Sequence, residues 1–131
     1  MPRSIFVIEP HPAVRESILF LVGPAADLHV VGSAVTHEAA ESPLAVSLPD
    51  IIVLGLTRPG TQPIQAVRSW CPDTCILTVA SFQGGFTPHI AQNAGADACV
   101  SRLHGAPALL PTLKQIVQQP LRNVSRALDL S

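Results

Sequence analysis

At 131 residues, 47% of them apolar and 13% charged, the chain is long enough for one domain with a buried core and too apolar to be disordered. With 8 basic against 9 acidic residues the formal charge is −1, and no basic stripe argues for nucleic acid. No apolar run approaches the ~20 residues that cross a bilayer, and three cysteines, Cys71, Cys75 and Cys99, suit a reducing compartment.

Met1-Pro2-Arg3-Ser4 leads directly into an apolar run with no cleavable leader pattern, so a cytoplasmic protein is expected. Short, nearly continuous apolar runs alternate with helix-length segments, as in a parallel sheet covered on both faces. Strands are predicted over residues 5–8, 30–34, 51–54, 76–80 and 99–101. A first helix starts near Pro12, where proline suits the first turn; it buries Val14, Ile18, Leu21 and Val22 and stops at Gly23-Pro24. A second helix, residues 36–48, contains Pro43, which removes a helical hydrogen bond and costs ~3 kcal/mol. A kink, or a late start capped by Ser42, is the expectation there. Further helices are predicted over residues 63–70, 87–94 and 107–118, the last with Leu109, Leu110, Leu113, Ile116 and Val117 facing inward. Beyond Pro120, Leu121, Val124 and Leu128 keep helical spacing, as a docked extra turn or a frayed end.

Residues 50–60 read Asp-Ile-Ile-Val-Leu-Gly-Leu-Thr-Arg-Pro-Gly: an apolar strand halts at Gly55, and a Pro-Gly turn follows. Near the start the chain reads Ile8-Glu9-Pro10-His11-Pro12-Ala13-Val14-Arg15-Glu16. Pro72-Asp73-Thr74 precedes the fourth strand and Ala94-Gly95-Ala96-Asp97-Ala98 the fifth. Together these resemble the receiver domains of two-component response regulators, most closely those carried on helix-turn-helix transcription regulators. The likeness covers residues 1–118 and leaves residues 119–131 as a tail or short linker. It implies an α/β flavodoxin-like (βα)5 fold, a five-stranded parallel sheet of order 2-1-3-4-5 with helices on both faces.

Receiver chemistry, by this resemblance, needs two acids after the first strand for Mg²⁺, an aspartate after the third as phospho-acceptor, a hydroxyl ending the fourth and a lysine ending the fifth. Those positions read Glu9, Pro10, Gly55, Ala80 and Arg102 here, and the aromatic switch position reads Cys99. A one-residue slip would put Ser81 at the hydroxyl position, but the spacing from Pro72-Asp73 favours Ala80. The resemblance therefore implies a pseudo-receiver with neither catalytic residue, metal nor cofactor, acting through protein contacts. Its interaction face would run over the fourth helix, fifth strand and fifth helix, with Phe86, His89, Gln92, Arg102, Leu103, His104 and Lys114. The expected partner is a signalling protein or a second copy of the chain, with no direct nucleic-acid binding and no membrane.

Several residues carry two readings. Glu9 is either a residual metal ligand or an acid that is solvated or paired with Arg102; Arg102 either binds an anion or forms that pair. Cys71 and Cys75 flank a loop with no further ligand close in sequence and read as plain thiols. His11 and His37 sit at loop-to-helix junctions with no carboxylate assigned to them and read as polar surface. In Ser81-Phe82-Gln83-Gly84-Gly85-Phe86, Phe86 is an anchor for a partner or folds back over the emptied pocket, while Phe82 reads as core. The rival function is a small-molecule or anion sensor using a vacant cleft around Arg102, Pro10, Gly55 and Ala80. A flavin carrier or hydrolase is disfavoured, because the loop after the first strand is not rich in Ser, Thr and Gly and no nucleophile elbow occurs.

Overall fold

Alternation along each strand sorts apolar side chains to two faces, and the computed structural model, which describes residues 2–119, shows both faces covered. The strands are β1 (Arg3–Ile8), β2 (Leu28–Ala34), β3 (Ile51–Gly55), β4 (Cys75–Ala80) and β5 (Ala98–Ser101). They form one parallel sheet in the order β2-β1-β3-β4-β5, the flavodoxin-like arrangement. Helices α1 (Pro12–Val22), α2 (His37–Ser47), α3 (Gln62–Trp70), α4 (Pro88–Ala94) and α5 (Leu109–Val117) alternate with them. The spacing of Leu121, Val124 and Leu128 falls outside the described residues.

Ile5, Val7, Ile51, Val53, Leu77, Val79 and Val100 point to one face, where Ile18 and Val22 of α1 and Leu109 and Leu113 of α5 meet them. Phe6, Ile8, Ile52, Leu54, Ile76 and Ala80 point to the other, under Ala40 and Leu44 of α2, Ile64 and Val67 of α3 and Ala91 of α4. β3 is buried along its whole length, which explains why residues 51–54 read as a continuous apolar run. On α1 the partly buried Val14 and Leu19 pack beside Ile18 and Val22; Leu21, equally half-buried, lines a surface groove instead.

Two helix starts differ from expectation at prolines: the late start at Ser42 and the start at Pro107. α2 starts well before Pro43, so Ser42 is not its cap: Thr36 caps it, accepting the Ala39 N–H at 3.1 Å. The hydrogen bond that Pro43 forgoes would have gone to the carbonyl of Ala39, on the exposed side, while Ala40 and Leu44 are fully buried against the sheet. Burying those two side chains offsets a proline penalty of ~3 kcal/mol. The helix then ends on Leu48 in the left-handed region (φ 45°). The last helix does not begin at Pro107. Two short 3-10 turns, Arg102–His104 and Ala106–Ala108, come first, hinged at Gly105 (φ 70°, ψ −176°), a conformation that suits glycine. Regular α5 starts at Leu109.

Sequence reading missed Arg68, which ties α3 to the fourth and fifth strands. Its guanidinium donates to the carbonyls of Gly95, Cys71 and Thr74 and to Asp97 Oδ2 at 2.8 Å. Asp97 Oδ2 in turn accepts the Ile76 N–H at 2.8 Å. Arg68→Ala leaves those carbonyls and the half-buried Asp97 without that donor. A loss of about 2–4 kcal/mol in unfolding free energy is expected from urea midpoints, with Asp97→Asn costing less.

Candidate functional site

The carboxyl ends of the strands are the ligand-facing edge of this fold. Here they converge on one ion pair. Glu9 follows β1 and is held by its own backbone, whose N–H donates to the Ala34 carbonyl at 3.0 Å and whose carbonyl accepts from Arg15 Nη1 at 2.9 Å. Its side chain is fully buried, with Oε2 accepting the His11 N–H at 2.9 Å just before α1. Arg102 follows β5, where the Ser101 hydroxyl accepts the Leu103 N–H at 3.2 Å and starts the first 3-10 turn. The guanidinium then reaches over β4 and β3. Nε donates to the Leu56 carbonyl at 2.7 Å and Nη2 to Glu9 Oε1 at 2.6 Å.

That reach passes close over the end of β3, where the residue carries no side chain. β4 ends in Ala80, and β3 ends in Gly55. A Cβ at Gly55 would overlap Glu9 Oε1 and lie 3.1 Å from Arg102 Nη2. Glycine is needed here for close approach rather than for an unusual backbone angle. Ala80 is the last residue of β4, in register with Ser101, whereas Ser81 lies past the strand and is exposed, so Ala80 holds the strand-end position. Pro10 stands beside Glu9 and supplies neither an N–H nor a polar side chain. The space a side chain would take at Gly55 is filled by the Glu9–Arg102 pair.

Other sequence-derived residues separate. Cys99 lies opposite Thr78 and packs against the α2–α3–α4 core; burial pushes its thiol above the usual range. The Thr78 hydroxyl, fully buried, has no hydrogen-bond partner among the described residues, a feature that a threonine inside an apolar strand did not advertise. Cys71 is buried and its thiol is also pushed up by desolvation, against the opposing pull of Thr74 and Arg68. Two histidine readings need revision on one point: His11 is exposed, but His37 Nδ1 lies 3.2 Å from Glu38 Oε1 and its ring stacks on Trp70.

The interaction face is corrected at two positions. Phe86 is buried in the core, stacked on Phe82 with ring centroids 5.4 Å apart, and is no surface anchor. The glycine pair ahead of it lets the loop fold back, and covering the open end of the α3–α4 core gives the ring more burial than solvent would. Phe82, read as core, is partly buried and packs against it. Arg102 is turned inward to Glu9. His89, Gln92, Leu103, His104 and Lys114 are exposed, Leu103 at 92%.

Comparison with known proteins agrees with this architecture. No family model matches the chain. Over 98 residues it is 30% identical to an uncharacterized transcriptional regulatory protein, YhcZ, of Bacillus subtilis, covering 72% of this chain and 46% of that protein. Over 104 residues it is 30% identical to the Fimbriae Z protein of Salmonella typhimurium, covering 77% and 50%. Among solved structures it matches a LuxR-family two-component response regulator of Aurantimonas, with TM-score 0.77, 27% identity and 89% and 86% of the two chains covered. The response regulator domain of Thermotoga maritima CheB matches with TM-score 0.76 at 22% identity, covering 92% and 99%. The chain belongs to the receiver domains of two-component response regulators. It spans about half the length of the curated relatives it matches. Among the described residues no helix is long and apolar enough to cross a membrane.

A buried ion pair is costly to desolvate and costly to break on one side. Arg102→Met strands a buried carboxylate and is expected to cost about 3–5 kcal/mol; Glu9→Gln should cost less because the amide still accepts from Arg102. In the double variant the losses should not add, with a coupling of about 1–3 kcal/mol from denaturant unfolding. Simple additivity would mean that the pair contributes nothing.

Proposed function

We propose that this receiver works without a phosphoryl group, as a cytoplasmic protein-interaction module and not as an enzyme. The observation that carries the reading is Gly55 at the end of β3, where a side chain of any kind would collide with Glu9. An acyl phosphate needs a carboxylate nucleophile there, and glycine offers none. Mg²⁺, which the family would imply, requires several hard oxygen ligands in near-octahedral array. Pro10 and Gly55 provide no ligating side chain, and each oxygen of Glu9 already accepts a hydrogen bond, one of them from a cation. These residues do not fit the ion.

The Glu9–Arg102 bridge also supports a single locked conformation. It links the ends of β1 and β5, and through the Leu56 carbonyl it takes in the end of β3, so three strand ends are fixed by one guanidinium. Without a covalent event to shift the equilibrium, a change of state has to come from a partner that binds one surface better. The contact face we assign is the α4–β5–α5 side, with Leu103 at its centre and His89, Gln92, His104 and Lys114 around it, and a second copy of the chain as its occupant. The exposure of Leu103 and the partial exposure of Ile90 favour this face.

Incubation with acetyl phosphate and Mg²⁺ should leave the intact mass unchanged. A labile phosphoryl adduct on any aspartate sinks the proposal. Gly55→Asp should not restore modification, and its side chain, forced against Glu9, should lower the melting temperature. For the contact face, sedimentation velocity should show concentration-dependent self-association that Leu103→Glu removes while the far-ultraviolet spectrum stays unchanged. Self-association that survives Leu103→Glu, or a wild-type chain that stays monomeric at high concentration, rules that face out.

A further inference from the structure

A second feature of the Arg102 region is independent of the reading above. Between α1 and the two 3-10 turns lies a half-open pocket of about 220 Å³, lined among others by Ala13, Ser17, Val79, Val100, Arg102 and Ala106. Its origin is in the sequence. The Arg102–His104 and Ala106–Ala108 turns delay the start of α5 to Leu109, and the residues facing across the gap, Ala13 and Ser17 on α1 and Ala106 opposite, are too small to fill it.

The lining is apolar except for two groups. The Ser17 hydroxyl donates to the Ala13 carbonyl at 2.9 Å, which leaves its oxygen lone pairs as acceptors. Arg102 carries five N–H groups, of which Nε–H and one on Nη2 are engaged by Leu56 and Glu9. Nη1 has no acceptor among the described residues. The guanidinium therefore holds Leu56 through Nε and Glu9 through Nη2, while Nη1 remains able to donate to a second carboxylate.

We propose that this cavity is a binding site for a small carboxylate with an apolar body, a single aromatic ring or a short acyl chain. Its volume sets the size: larger than the ~150 Å³ that admits benzene and below the ~300 Å³ at which drug-sized pockets begin. The chemistry sets the head group, since Arg102 is the one charged residue lining an otherwise apolar pocket. This is not the space at Gly55, which the Glu9–Arg102 pair fills; the pocket lies on the α1–α5 side of the sheet. Because Leu103 follows Arg102 in the same 3-10 turn, an occupant would couple the chamber to that exposed side chain.

The test uses benzoate and hexanoate as probes, with benzyl alcohol, hexanol and sulfate as controls, read by amide chemical-shift changes and thermal shift at millimolar concentration. Shifts should centre on Val14, Ser17, Val100 and Ala106. Loss of charge in the alcohols should weaken binding about tenfold or more, the order of a charge-assisted hydrogen bond. Arg102→Met should do the same. Because that variant disturbs Glu9, Ala106→Leu serves as the second: it fills the chamber, leaves the ion pair intact and should abolish the shifts. Shifts that survive Ala106→Leu, equal binding of the neutral analogues, a response to sulfate equal to that of benzoate, or no response to either carboxylate each overturn the proposal.

Discussion

The ion pair between Glu9 and Arg102 is the constraint around which the functional edge of this domain is arranged. A fully buried carboxylate is tolerable only when its charge is met and its oxygens are engaged. Glu9 meets both conditions through the Arg102 guanidinium and the His11 amide. The pair joins residues 93 apart in the chain, from an interior strand to an edge strand. Gly55 leaves it room, since a Cβ there would overlap Glu9 Oε1.

This arrangement changes how the domain can switch. In a bistable receiver, charge arriving at the strand ends would redraw contacts between loops. Here the strand ends are already bridged by a resident cation and anion, with the cation also bound to the Leu56 carbonyl. On the phosphoryl-independent reading proposed above, conformational bias enters from elsewhere. Two places are proposed: the exposed surface at Leu103, one residue beyond the bridge, and the pocket between α1 and the delayed start of α5, which Arg102 also lines. Both lie within a few residues of Arg102, so one side chain connects lock, surface and cavity.

How much of this was legible in the sequence follows from the range of the forces involved. The strands were legible because a fully covered parallel strand has to be apolar on both faces, and such runs are visible without any partner. The start of α1 was legible because Pro12 marks a first turn locally. Pro43 misled because its penalty is local while the burial of Ala40 and Leu44 that outweighs it is tertiary. Phe86 carried the same ambiguity. A glycine-rich loop permits the ring to point out or in, and only the open end of the α3–α4 core determines that it points in. Arg68 gave no signal, since several of its acceptors are backbone carbonyls that any sequence would supply and its side-chain partner Asp97 lies 29 residues further along the chain.

The chain's own letters determined which side chains are available: Pro10, Gly55 and Ala80 offer no carboxylate or hydroxyl side chain, whatever the fold does with them. They also determined the layer order, through apolar runs whose pattern needs no coordinates. Only the tertiary structure decided that Arg102 turns inward to Glu9 and that a cavity opens beside it. Those outcomes depend on distances between strand ends far apart in sequence, and on a desolvation balance that exists only once both charges are buried together.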